Sequence, residues 1–122
     1  MSFINVEGLN ICYAMFGKGK PLILLHGWGG SSQSFSEMQG LLSGHCRVIA
    51  LDLPGFGKSD MPPKPWKLDD YAGFVADFAS QLEIPTFSLA GYSFGGRVAI
   101  KFALRYPARI EKLILIAAAG IK

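Results

Sequence analysis

Three stretches of this chain contain no polar residue: Leu22-Ile23-Leu24-Leu25, Val48-Ile49-Ala50-Leu51 and Leu113-Ile114-Leu115-Ile116. A strand with one wet face alternates apolar and polar residues, whereas a strand covered on both faces does not. Between these stretches, apolar residues recur at helical spacing. Phe35, Met38, Leu41 and Leu42 form one set, and Leu68, Tyr71, Phe74, Val75, Phe78 and Leu82 form a second. A third helix is expected from Phe94 to about Tyr106, where Pro107 stops it. Alternating strands and helices predict an α/β fold with a mostly parallel sheet and helices on both faces. The first residues differ. Phe3–Val6, the turn Glu7-Gly8 and Leu9–Phe16 predict an antiparallel hairpin ahead of that sheet. Further strands are expected at Thr86–Ala90 and Lys112–Ala117.

Composition adds one constraint. The 122 residues suffice for one small domain, read as a single unit over 1–122, yet only 17% are charged and 50% are hydrophobic. Typical soluble domains are about 25% charged. A small domain has a high ratio of surface to volume and should be less apolar than average. The excess therefore predicts apolar surface that is buried against further structure.

Other classes find little support. The net charge of +3 is scattered, without the basic run or stripe that nucleic acid demands. Cys12 and Cys46 form no C-x-x-C pair, so free thiols in a reducing compartment are expected. Met1–Glu7 has neither a basic n-region nor an apolar h-region, and the apolar run from Leu113 to Gly120 is too short to span a bilayer. A cytoplasmic location and no membrane partner are the expectation. Gly57-Lys58-Ser59 looks like the end of a phosphate-binding loop, but that pattern needs glycine where Asp52 stands. Gly27 and Gly29 are followed by Ser32 where a dinucleotide-binding loop needs its third glycine. No His/Cys/Asp cluster has metal-ligand spacing, so neither metal nor cofactor is expected.

The chemistry concentrates at Gly91-Tyr92-Ser93-Phe94-Gly95, between an expected strand and an expected helix. A serine on a sharp strand-to-helix turn projects its hydroxyl above the sheet, and the N–H groups opening the helix face any negative charge formed there. The glycines allow the strained turn and the close approach of helix to sheet.

Together with His26-Gly27-Trp28-Gly29-Gly30 and Asp52-Leu53-Pro54-Gly55-Phe56-Gly57-Lys58-Ser59, this segment resembles the α/β-hydrolase superfamily, in particular its small carboxylesterase branch. That branch includes acyl-carrier methyl-ester esterases and carbon–carbon bond hydrolases. The resemblance covers Ser2 to Lys122 and corresponds to strands one to six of a sheet that usually has eight. It implies that Ser93 is the nucleophile toward a small-molecule ester. The backbone N–H groups of Trp28 and Phe94 would form the oxyanion hole, and Gly27, Gly29 and Tyr92 would border the substrate. His26 would orient the oxyanion loop and Asp52 would anchor the loop after its strand.

The family order is serine, acid, histidine, and only the serine has a match. Of the two histidines, His26 takes the structural place and His45 precedes its strand, whereas Ser93 follows its own. That puts His45 roughly 15–20 Å from Ser93 at ~3.3 Å per residue, against about 3 Å for proton transfer. Asp69, Asp70 and Asp77 are expected on a solvated helix surface. The chain is thus expected to be the nucleophile half of a serine carboxyl-ester hydrolase, weak alone, lacking the lid, strands seven and eight, acid and histidine. The alternative is a self-associating module, a homo-oligomer joined through its last strand or a bared sheet face.

Overall fold

The computed structural model of the chain describes residues 1–116. Its core is one six-stranded sheet. The strands are β1 (Ser2–Val6), β2 (Leu9–Phe16), β3 (Pro21–Leu25), β4 (Arg47–Leu51), β5 (Phe87–Tyr92) and β6 (Ile110–Ile116), in the order β1-β2-β4-β3-β5-β6. β1 pairs antiparallel with β2 through a turn whose Glu7 and Gly8 both have positive φ, and β2 pairs antiparallel with β4. The pairs β4–β3, β3–β5 and β5–β6 are parallel. This is the expected mixed sheet with an antiparallel hairpin at its start.

The helices are α1 (Ser36–Leu42), α2 (Leu68–Gln81) and α3 (Phe94–Arg105). α2 and α3 pack together on one face, where Phe78, Phe87, Phe102, Leu25 and Leu51 are buried in the larger core. α1 covers part of the other face over a smaller cluster of Leu24, Phe35, Val48, Ala50 and Ala90. A 3-10 turn at Ser32–Phe35, capped by the Ser31 hydroxyl, leads into α1. Leu41, apolar and at helical spacing, points outward at 72% exposure. Gln39 is buried instead, and its Nε2 donates to the carbonyls of Ala14 (2.8 Å) and Val48 (3.2 Å). The amide thus satisfies two backbone acceptors that the core would otherwise strand without partners.

Two strand boundaries depart from the sequence expectation by two residues. β5 continues through Gly91 and Tyr92 because β6 supplies partners for them, Leu115 and Ile116. β6 starts two residues early at Ile110, opposite Phe87, and the expected end at Ala117 lies outside the described residues.

Candidate active site

The end of β5 and the start of α3 meet at Ser93. Its φ of 55° and ψ of −113° lie outside the regions that L-residues normally occupy. Such strain costs of order 1–3 kcal/mol and persists only where the surroundings enforce it. Here they do. A side chain at Gly91 would overlap the backbone of Gly95 and Gly96, and one at Gly95 would overlap the carbonyls of Leu25 and His26. The helix therefore enters directly against the ends of β3 and β5, and Ser93 is left exposed at the crest.

The loop after β3 is fixed by His26, which is fully buried. Its Nδ1–H donates to Gly27 O (2.8 Å), and its Nε2 accepts from the Leu53 N–H (2.9 Å). Both nitrogens are engaged by the neutral ring. Burial, the largest influence, lowers the His26 pKa from its ordinary value, opposed by the Gly27 hydrogen bond and the nearby Asp52. Asp52 is also buried and holds two segments at once, accepting from the N–H of Ser32 (2.6 Å) and of Lys58 (2.9 Å). A side chain at Gly57, whose φ is +53°, would collide with that carboxylate. Burial raises the Cys12 thiol pKa, with Asp52 adding to the shift, and both cysteines are free.

These anchors set Trp28 beside Ser93. Trp28, Ser93, Phe94 and Arg97 line a cavity of about 610 Å³. Trp28 meets Phe56 (4.8 Å) and Phe94 (5.0 Å) edge-on, yet stays 71% exposed. It also borders a groove of about 400 Å³ walled by Met61, Pro62, Pro65, Trp66 and Tyr71, apolar apart from Lys64. The N–H groups of Trp28 and Phe94 have no protein acceptor among the described residues. Gly27 sits against Tyr92 and Ser93, where an added Cβ would stand 3.0 Å from the Tyr92 ring and 3.4 Å from Ser93 Cβ. Gly27, Gly29 and Tyr92 do not line the cavity. The Tyr92 side chain packs toward the α1 side of the sheet.

The remaining candidates stay apart. Parallel pairing aligns Arg47 with Pro21 but Gly91 with Leu25, four residues further along β3. At ~3.3 Å per residue that is about 13 Å, and His45 and Ser93 each lie beyond it in opposite directions. Asp69 is occupied with Lys101 and Arg105, and the Asp70 carboxylate caps α2 by accepting from the Lys67 N–H (2.8 Å). Among the described residues no His/Cys/Asp/Glu group is arranged to hold a metal, and no helix is long and apolar enough to cross a membrane. The sequence reading passed over Arg97. Its signal is a cation in the first turn of a helix that the serine immediately precedes.

Known proteins share this fold. The family described as alpha/beta hydrolase fold matches residues 20–121. The pimeloyl-(acyl-carrier protein) methyl ester esterase of Legionella pneumophila (strain Corby) is 38% identical over 108 residues, covering 88% of this chain and 42% of its own. The 2-hydroxy-6-oxo-2,4-heptadienoate hydrolase of Pseudomonas putida (strain F1) is 34% identical over 109 residues, covering 86% and 40%. The crystal structure of a membrane phospholipase A, a bacterial virulence factor, superposes with a TM-score of 0.92 at 33% identity, covering 98% and 40%. The chain spans less than half the length of each.

Proposed function

The chain belongs to the α/β-hydrolase fold family, and from that premise we propose that its 122 residues are the nucleophile-bearing half of a serine carboxyl-ester hydrolase. In this reading Ser93 Oγ attacks the ester carbonyl carbon. The carbonyl oxygen takes up the negative charge in reach of the Trp28 and Phe94 N–H groups, each such donor being typically worth ~3 kcal/mol in the transition state. The tetrahedral adduct collapses by expelling the alcohol, which leaves an acyl-serine for water to hydrolyse. Both proton transfers need a base, because a serine hydroxyl is a poor nucleophile without one. His26 has both nitrogens committed and His45 lies at the other end of the sheet. We propose that the base and its acid come from chain outside these residues, in the same polypeptide or another.

The observation that carries this reading is the enforced left-handed conformation of an exposed serine at the mouth of a cavity. The esterase named among the relatives supports an ester as substrate. The test is an activated-ester assay on the 122-residue chain with Ser93→Ala as control. The expected rate is low, at most ~10³–10⁴-fold over water. Robust turnover abolished by Ser93→Ala would contradict the need for an outside base.

A second reading rests on β6. It is an edge strand among the described residues, and Leu113, Ile114 and Leu115 on it are 39%, 42% and 54% exposed. Unpaired edges recruit other strands. We propose that two copies pair antiparallel through β6 about a two-fold axis. Light scattering at micromolar concentration should give a dimer that Ile114→Lys dissociates. A monodisperse monomer for the unsubstituted chain contradicts this reading.

A further inference from the structure

Helix α3 carries three cations at four-residue spacing, Arg97, Lys101 and Arg105, so they form one stripe. Two of the three are matched. Asp69 on α2 lies 3.5 Å from Lys101 Nζ and 3.8 Å from the Arg105 guanidinium, which also donates to the Asp69 carbonyl (3.2 Å). Arg97 tops the stripe and has no acidic partner among the described residues. It stands in the first turn of α3, where the helix dipole disfavours a cation, and no acid in that turn compensates. A local rule broken without structural compensation marks a functional position. The exposed Arg97 side chain lines the same cavity as Ser93.

We infer that Arg97 is a specificity-determining residue that selects esters bearing a carboxylate, an inference that rests on the esterase reading of Ser93. At about 1.5 Å rise per residue, Arg97 stands roughly 6 Å along the helix from Ser93. A substrate carboxylate a few bonds from the scissile carbonyl therefore reaches the guanidinium while that carbonyl sits at the serine. The planar fork of a guanidinium accommodates a carboxylate with two parallel hydrogen bonds. One guanidinium balances one carboxylate, whereas a phosphate dianion would keep uncompensated charge beside Arg97, the one cation among the described residues lining this cavity. The groove beyond Trp28, apolar apart from Lys64, leaves the uncharged remainder of the molecule a separate place to lie.

The test uses the Ser93→Ala chain, so that bound ester is not consumed. Monomethyl glutarate and dimethyl glutarate differ by one charge at nearly equal size, and ligand-observed NMR compares their binding. The monoester should bind about fivefold or more tightly at low salt. That ratio should fall toward one in Arg97→Gln and in high salt, and Arg97→Lys should retain part of it. Circular dichroism checks that each variant folds. Equal binding of the two esters, no detectable binding of the monoester, or an undiminished ratio in Arg97→Gln would each overturn the inference. If wild-type Ser93 is never acylated but the charge preference holds, the esterase reading fails and the anion site stands. If Ser93 is acylated but the preference is absent, only the anion site fails.

Discussion

At the scale of single residues, function and stability oppose each other at Ser93. Its backbone sits where glycine is at ease and serine is not. Ser93→Gly should therefore raise stability by about 1 kcal/mol in urea unfolding, relief of strain outweighing the entropy of glycine, and should abolish acylation. Gly95→Ala should do the reverse of stabilising. Its new methyl would meet the Leu25 carbonyl in a place that cannot yield, for a loss of about 3 kcal/mol or more. His26 sets a pH dependence. Its folded pKa is depressed below the ordinary 6.5, so the unfolded chain binds the extra proton first as pH falls. The stability it contributes is complete above about pH 6.5 and is lost as pH drops through the depressed value. Asp77, whose carboxyl is raised by burial, acts in the opposite sense, over a window that runs upward from about 3.8. Urea midpoints at pH 7.5 and 5.5 should differ in favour of the higher pH, and His26→Gln should shrink that difference. The turn itself was legible in the sequence because G-x-S-x-G encodes a steric demand. Arg97 was passed over because a lone charge on a helix reads as solvated, and its missing partner is a three-dimensional fact.

At the scale of elements, α3 shows what local chemistry decides and what it does not. Its limits followed from the glycines and Pro107, and the structure buries Val98, Ala99 and Phe102 as its inner face. Its electrostatics depend on α2, which brings Asp69 against the lower two cations. These groups are half exposed, so Asp69→Ala should cost no more than about 1 kcal/mol. Arg97→Gln should be neutral or stabilising by about 0.3–1 kcal/mol, since it removes a cation from the positive end of the dipole. Denaturation midpoints of the two variants check both signs. α1 was the least legible element. Its periodicity counted Leu41 among the apolar residues and could not register that Gln39 is needed inside to satisfy the carbonyls of Ala14 and Val48. β5 was predicted two residues short because its last pairs are made with β6, a partner more than twenty residues away in the chain.

At the scale of the whole molecule, the high apolar content and the low charge have a visible counterpart. α2 and α3 cover one sheet face, while on the other α1 reaches the β4 side and leaves Ile114 on β6 exposed. Relatives that match nearly the whole chain devote less than half their own length to it. Strand positions, the mostly parallel sheet and the motif positions were legible in the sequence because buried strands and steric turns are local signals, whereas the strand order β1-β2-β4-β3-β5-β6 was not. What lies against the exposed Ile114 side of β6 is not legible either, because no contact within the described residues covers it. The most direct test of the central claim is the intact mass of the chain after exposure to an activated ester such as p-nitrophenyl acetate. A single acyl group on Ser93 that forms slowly, forms faster with added imidazole and persists for want of a deacylating base is the predicted result. Fast turnover without imidazole that depends on Ser93, or an acyl group that still appears in Ser93→Ala, would contradict the account.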